Sequence, residues 1–390
     1  MTSPGRVRTR LRWPMLVVSL VVLGFGLTSG CMVIDGIGRD RSSDSTTTAD
    51  VGAGAPTSAE PGAADPSAQP DFLSDLIDDY NARNIRAIEA SRRFDPSLWS
   101  TADTAGVLDT DLFGTRYDEL AAKLGLEPDS DDSESGESRY VAERQLTAPG
   151  ESYPRWVLAH LGTTTDEPLP SASPTTTVSP DSPLDAKFAV FVQSGPGEPW
   201  LMAVSGWTWM AELPRGPIGA VAAGEDLERA SVAALQVRNW LGGSDTVTLD
   251  DQLLTKYRSS ILTEADGKAH GELGCSAYRP AAHGVPGSPA ADNGVYAARV
   301  GDTLLVAASY HCIRRFPNDK LSWNPPLDQL MRGEQLQPHP WVIHILFTRA
   351  DDGKVRLVGR GGGMVLPEGV DPGVDHSETS EAATSPPAGA

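Results

Sequence analysis

Ser205 is the residue of this chain that comes nearest to a known nucleophile motif. It lies in the run AVSGW, residues 203–207, which superficially resembles the GxSxG nucleophile elbow. Ala203 occupies the place of the first glycine, although the elbow depends on a sharp turn from strand to helix at this point. We therefore expect Ser205 to be an ordinary sheet residue, and the sequence predicts no catalytic residue.

The histidines and acids do not form a recognisable metal motif. The seven histidines include no HxxxH or HxH pair, and His160 and His344 alternate with apolar neighbours in strand-like runs. The acidic run EPDSDDSESGE, residues 127–137, has Glu134 where a calcium-binding loop requires glycine. This pattern is typical of a solvated acidic loop, so we predict no metal ion and no other cofactor.

Cys275 and Cys312 are predicted to form a disulfide. They are two of only three cysteines in the chain, and pairs of cysteines in exported proteins are usually oxidised. The bridge would contribute about 4 kcal/mol of stability on the chain-entropy view. The alternative is a metal site that adds His311, but neither cysteine has the CxxC spacing of a zinc site.

Cys31 is predicted to carry a lipid. Arginines at positions 6, 8, 10 and 12 precede an apolar run from Trp13 to Leu27, which has the length of a signal peptide. Ser29 and Gly30 then stand directly before Cys31, so this stretch resembles a bacterial lipoprotein signal peptide. The resemblance implies cleavage after residue 30 and a diacylglyceryl group on the Cys31 thiol.

One position departs from the lipoprotein pattern. Thr28 stands where leucine is usual, three positions before the cysteine, and Leu27 lies one step further away. The alternative interpretation is an uncleaved signal anchor. In both cases the bulk of the chain is expected on the extracytoplasmic face of the cell membrane. With the lipid anchor the membrane is a partner through Cys31, whereas in an uncleaved anchor the cysteine is incidental.

Composition limits the other partners. The chain has 390 residues and a net charge of −20, which disfavours nucleic acid as a partner because its phosphates are also negative. Residues 31–70 are rich in Ser, Thr, Ala, Gly and Pro and are expected to form a disordered tether. The tail 367–390 has the same character, so about 300 residues remain to fold, as one large or two medium domains.

The order of helix and strand patterns occurs twice between these ends. Apolar residues spaced by three and four predict helices over 71–93 and 225–241, with a second helix following each of them. Strand-like runs follow each set of helices and are separated by hairpin-type turns. We therefore predict an α+β fold with two tandem domains, 71–212 and 225–366, each with N-terminal helices packed on a curved antiparallel sheet.

Trp200, Trp207 and Trp209 form the only aromatic cluster that suggests a ligand pocket. Trp207 and Trp209 are two residues apart, so they share one face of a strand. Indole rings in such a position bury large apolar areas, and core packing is the alternative explanation. The three residues are the candidate ligand site of the sequence.

Three stretches carry a resemblance to known proteins. They are YNARNIRAIEA (80–90), KFAVFVQSGPGEPWLMAVSGW (187–207) and MRGEQLQPHPWVIHILF (331–347). With these stretches the chain resembles uncharacterised actinobacterial lipoproteins that share a domain of unknown function. Each half is also similar to the nuclear transport factor 2-like, or cystatin-like, cone. The resemblance implies a location at the cell envelope and supplies no functional residue.

Two functions are consistent with these features. The first is a non-catalytic lipoprotein that binds a small ligand or another envelope protein. The second is an envelope enzyme with its site inside one cone, in the neighbourhood of Tyr310 and His311. The lack of a close pairing of carboxylate and histidine, or of a nucleophile motif, favours the first.

Overall fold

The fold is known from a computed structural model that describes most of the region between the tether and the tail. The described residues are 71–126, 139–163, 186–209, 212–244, 249, 251–262, 271–278, 294–315, 326, 330 and 339–367. The predicted signal peptide, Cys31, the tether and the tail from residue 368 lie outside this set. Among the described residues, no helix combines the length and the apolar character that crossing a membrane requires.

Five helices accompany the sheet in the described ranges. They are α1 (Phe72–Ser91), α2 (Trp99–Ala102), α3 (Ala105–Lys123), α4 (Glu225–Leu241) and α5 (Gln252–Leu262). The two helices predicted from apolar spacing correspond to α1 and α4. Their buried residues recur every three or four positions, because one side of each helix faces the sheet.

Ten strands make up the rest of the ordered structure in these ranges, and all of their pairings are antiparallel. In chain order they are β1 (Tyr140–Gln145), β2 (Arg155–Thr163), β3 (Ala186–Gln193), β4 (Leu201–Thr208), β5 (Ala220–Val221), β6 (Glu272–Ala277), β7 (Val295–Val300), β8 (Thr303–Arg315), β9 (His339–Arg349) and β10 (Val355–Met364). The hairpin-type turn predicted at 301–302 joins β7 to β8, where Val300 pairs with Thr303.

All ten strands belong to one sheet, in the order β1-β2-β3-β4-β10-β9-β8-β7-β5, with β6 paired to β8. The α+β class is therefore confirmed, but a separate sheet for each half is not. The last strand of the chain, β10, pairs with β4 through Gly359 opposite Thr208 and Arg360 opposite Trp207. Strands from both predicted domains consequently share one hydrogen-bonded seam.

Glycines explain why this seam forms where it does. A Cβ atom added to Gly361 would lie 2.1 Å from the backbone oxygen of Ser205, and one added to Gly206 would lie 2.6 Å from that of Arg360. Only residues without a side chain permit such a close approach of two backbones. Gly359 and Gly361 of β10 thus belong to the seam, and the pairing of β10 with β9 shifts register between Leu357 and Gly359.

The two ends of the sheet also meet. Thr147, just after β1, forms an isolated parallel bridge with Gly219, just before β5. The Gly219 amide donates to the Leu146 carbonyl at 2.8 Å, and the Ala148 amide donates to the Gly219 carbonyl at 2.7 Å. The strands therefore form a ring that is closed by this short bridge.

The strands divide their side chains between two faces. On β3, Phe188, Val190 and Val192 contribute to one buried cluster that draws on strands from both halves. The rings of Trp156 on β2 and Tyr296 on β7 meet within it, with centroids 5.5 Å apart. These strands are far apart in the sheet order, so this cluster fills the inside of the ring.

The opposite, outer face of the sheet is covered by helices. Helix α1 packs on β1 to β4, around the fully buried Phe191. Helices α4 and α5 pack on β6 to β10, around the fully buried Phe347. The outer face of the seam between β4 and β10 lies between these two helical layers.

The predicted disulfide is confirmed. Cys275 on β6 lies directly opposite Cys312 on β8, their Cα atoms are 4.1 Å apart, and the two sulfurs are bonded. Cys312 is fully buried in the cluster beneath α4 and α5. Since both sulfurs are used in the bridge, no thiolate is left for the alternative metal site with His311.

Candidate functional site

The three tryptophans of the predicted pocket have different environments. Trp200 is buried under α1 and meets the Phe72 ring edge-on at 5.7 Å between centroids. Trp209 is buried with α4 and α5 in another cluster. Trp207 has 42% of its surface exposed to solvent. The structure therefore leaves Trp207 as the accessible member of the set.

Trp207 is the centre of a row in which aromatic rings and cations alternate. The row consists of Tyr140, Lys187, Trp207, Arg360 and Tyr257, and we call it the cation–aromatic row. The Lys187 ammonium lies 4.9 Å from the centroid of the Tyr140 ring and 4.7 Å from that of Trp207. The Arg360 guanidinium lies 4.9 Å from the centroid of the Tyr257 ring. Cations over aromatic faces at these distances are attracted by the ring quadrupole.

Strand pairing places these residues side by side. Lys187 on β3 and Arg360 on β10 are the direct partners of Trp207 on β4, one on each side. Directly opposite residues project from the same face of a sheet. This face is the outer one, because the next residue along β3, Phe188, points to the inside of the ring of strands. Tyr140 on β1 and Tyr257 on α5 then complete the row at its two ends.

Burial adjusts the ionisation of the row without removing its positive charge. Desolvation lowers the pKa of the half-buried Arg360, although an arginine starts from a pKa far above neutrality. Burial raises the pKa of Tyr257 to about 12, so its hydroxyl keeps its proton at neutral pH. Arg360 therefore keeps its charge at neutral pH, and Tyr257 beneath it stays neutral.

A second group of ionisable residues is buried beneath α1. The Tyr80 hydroxyl donates to Asp103 Oδ1 at 3.0 Å, and both residues are almost fully buried. Arg83, also on α1, is held by Asp79 and by the backbone carbonyls of Thr101 and Trp200. The group links α1 to the segment before α3 and to the start of β4.

Asp111 interacts electrostatically with Asp103 in this group. Burial raises the pKa of Asp103 to about 7, and the Tyr80 hydrogen bond and the Arg83 charge offset part of the rise. Burial and the nearby Asp103 charge raise the pKa of Asp111 well above its usual range. Two adjacent carboxyl groups ionise one after the other, because the charge left by the first makes the second proton harder to remove.

His344 is the most buried histidine that the structure describes. Its Nδ1 atom lies 2.8 Å from the Ser309 hydroxyl, and burial lowers its pKa to about 3. Its Nε2 atom has no hydrogen-bond partner among the described residues. Gly106, in the first turn of α3, lies against the ring, and a Cβ there would come within 2.5 Å of the imidazole Cε1. The expectation that His344 is satisfied within the sheet therefore holds for one of its two nitrogens.

The neighbourhood suggested for an enzyme site has a structural role. The Tyr310 hydroxyl donates to the backbone carbonyl of Ala234 on α4 at 2.8 Å, in the buried cluster beneath that helix. Burial raises the pKa of this hydroxyl far above neutrality. The backbone carbonyl of His311 accepts a hydrogen bond from Ser276 at 3.2 Å. Tyr310 thus attaches α4 to the sheet and is inaccessible to a substrate.

Comparisons with other proteins do not indicate a function. No protein family model, no curated protein and no solved structure matches this chain. Within the described ranges, no group of three or more histidine, cysteine, aspartate or glutamate residues is arranged to hold a metal ion.

Sequence reasoning found Trp207 but missed its neighbours. A signal for Lys187 was present, because the hairpin of the runs at 187–194 and 199–209 places the start of the first run opposite the end of the second. Arg360 could not be found in this way, since it lies more than 150 residues from Trp207 and meets it only through the seam. Long-range strand pairing leaves no mark in the local pattern.

Proposed function

We propose that this protein binds a ligand at the extracytoplasmic face of the cell membrane without chemically changing it. The cation–aromatic row is its proposed binding surface, and a lipid on Cys31 is its proposed anchor. One observation carries the binding role: Trp207 keeps 42% of its surface exposed, with Lys187 and Arg360 directly opposite it on the two adjoining strands. An exposed large aromatic ring with convergent polar groups is typical of binding surfaces.

Two features support the proposed location. The signal-like run before Cys31 is one of them. The disulfide between Cys275 and Cys312 is the other, because such bonds form and persist mainly outside the reducing cytoplasm. The −20 charge makes adhesion to an anionic bilayer by electrostatics unfavourable, so a covalent lipid is the better anchor.

The alternative of an envelope enzyme is less well supported. Catalytic groups must reach the reacting atoms of a substrate. Asp103, Tyr80, Ser309 and His344 are four described groups with suggestive chemistry, and each has at most 2% of its surface exposed. Burial of this kind is more consistent with structural roles, which favours binding over catalysis.

The division of the fold into two tandem units is also part of this proposal. We propose that the halves 71–212 and 225–366 are tandem units of the cone type that have merged along one edge. The repeated order of helices followed by an antiparallel meander supports this. We also propose that the chain belongs to the actinobacterial lipoprotein family, because three of its stretches resemble that family.

Replacement of Cys31 by serine tests the anchor. In a bacterial host that processes lipoproteins, Cys31→Ser should abolish incorporation of labelled palmitate and should move the protein out of the membrane fraction or leave it unprocessed. Thr28→Leu, which restores the usual leucine, is the matched control and should remain labelled. Equal membrane retention and equal electrophoretic mobility of Cys31→Ser and the parent chain would show that the segment is an uncleaved anchor.

A further inference from the structure

We infer that the cation–aromatic row binds an acidic polysaccharide, with a sugar ring stacked on Trp207 and acidic groups of the polymer on Lys187 and Arg360. This inference rests on the proposed function and names the class of ligand for the same surface.

The exposed indole carries the first part of the argument. Trp207 presents a flat apolar surface together with one N–H donor. A sugar ring has the matching form, since it carries C–H groups on its faces and hydroxyl groups around its edge. Trp200 and Trp209 are buried and therefore cannot take this role. The site has one stacking platform at its centre.

The two cations carry the second part. Lys187 and Arg360 flank Trp207 on adjacent strands, so their Cα atoms are about 10 Å apart at a strand spacing of about 4.8 Å. Ammonium and guanidinium groups bind carboxylates and phosphates through charge-assisted hydrogen bonds. Two cations on opposite sides of a stacking platform match a ligand that carries an acidic group on each side of a ring.

The openness of the row favours a polymer over a small molecule. The row crosses the outer face of the sheet from β1 to α5, between the helical layers, and its central ring faces solvent. Small-molecule sites instead enclose most of the ligand surface in a concave pocket. Tyr257 at one end of the row is buried, so its accessible part is Trp207 with the half-buried Lys187 and Arg360 beside it, and an exposed ring between two cations fits a ligand that lies along the surface.

Other polyanions and peptides fit the row less well. Duplex DNA carries about one negative charge per 1.7 Å of its axis, which a chain of net charge −20 repels strongly. An extended peptide binds sheets mainly by pairing with a free edge strand. The centre of the row lies on β3, β4 and β10, and each of these strands is paired on both sides, so no free edge adjoins Trp207. A polysaccharide has lower charge density and needs no free edge.

Calorimetric titration of the full chain, purified in a detergent without sugar groups, tests the inference. The probe is polygalacturonate, and the comparison ligands are neutral dextran, polyglutamate and single-stranded oligothymidylate. We expect binding of polygalacturonate that weakens as salt is raised, and at least tenfold weaker binding of the other three. Trp207→Ala should weaken polygalacturonate binding about tenfold or more, as loss of one stacked ring does elsewhere.

Matched variants separate the row from general surface effects. Lys187→Gln should weaken binding and reduce its salt dependence, whereas Lys354→Gln removes an exposed lysine outside the row and should change neither. Tyr153→Ala removes another exposed ring with an arginine nearby and should leave affinity unchanged. Circular dichroism of each variant establishes that it is folded.

Several results would overturn the inference. These are no binding of polygalacturonate, equal affinity for dextran, or unchanged affinity of a folded Trp207→Ala variant. Equal or tighter binding of polyglutamate or of the oligonucleotide would assign the row to an acidic peptide or to nucleic acid instead. Each of these outcomes is independent of palmitate labelling, so failure of the ligand class and failure of the membrane anchor can be told apart.

Discussion

Removal of the Cys275–Cys312 disulfide should strongly destabilise the protein. The bridge closes a segment with a sequence separation of 37 residues. On the chain-entropy view, the loss of this closure releases about 13 cal/mol/K of entropy to the unfolded chain, which corresponds to about 4 kcal/mol at 25 °C. The double variant Cys275→Ala/Cys312→Ala should lose that much of its free energy of unfolding.

Urea titration followed by far-ultraviolet circular dichroism measures this loss. The oxidised parent, the parent with its disulfide reduced, and the double variant are compared under identical conditions. Reduction removes only the bond, whereas the alanine pair also removes the fully buried sulfur of Cys312. The double variant should therefore be the least stable of the three, by about 1 kcal/mol relative to the reduced parent.

Two outcomes would contradict the reasoning. Mass spectrometry of the alkylated, unfolded parent could show two free thiols, which would mean that the bond does not form. Alternatively, the bond could be present while the reduced and oxidised forms unfold within about 1 kcal/mol of one another. In the second case the constraint on the unfolded chain would be too weak to support the entropic argument.

Two further predictions concern α3 and the groups around it. Gly106→Ala should lower the free energy of unfolding by about 1–3 kcal/mol, because the new methyl group would overlap the His344 ring, and chemical denaturation measures it. The control Gly114→Ala, in the same helix with nothing within 4 Å, should instead stabilise by up to about 1 kcal/mol, and equal losses would contradict the packing argument. Asp103 and Asp111 have raised pKa values, so their contribution to the free energy of unfolding is fully present below about pH 4 and is lost as the pH rises towards 7. Asp111→Asn removes one of the two groups, so the free energy of unfolding should fall less steeply as the pH rises. If the slope of the unfolding free energy against pH is unchanged in this variant, the carboxyl groups of Asp103 and Asp111 do not interact as described.

Local patterns predicted the elements of the fold but not their closure. The apolar spacing of α1 and α4 and the hairpin turn between β7 and β8 are short-range signals, and the structure contains all three. The seam between β4 and β10 joins residues about 150 positions apart, and the bridge between Thr147 and Gly219 joins residues 72 positions apart. Such contacts follow from the curvature of the whole sheet, so two separate sheets were the simpler expectation.

The candidate site, too, could be predicted only in part from the sequence. Trp207 could be selected from the sequence because three tryptophans lie close together, but its exposure depends on where α1 and α5 end on the outer face. Asp103 and Asp111 were not selected, because a carboxylate that is two residues before a helix and another within it carry no pattern that predicts burial. The hydrogen bond of Asp103 follows from the way Tyr80 on α1 reaches the segment before α3.

The ring of strands has a consequence for how the chain resists unfolding. The halves are joined at two places, along the seam between β4 and β10 and at the bridge between Thr147 and Gly219. Neither half can peel away from the other without breaking both junctions and exposing the apolar cluster that the two halves fill together. The two halves therefore form one cooperative unit, in which a destabilising change in either half lowers the stability of both.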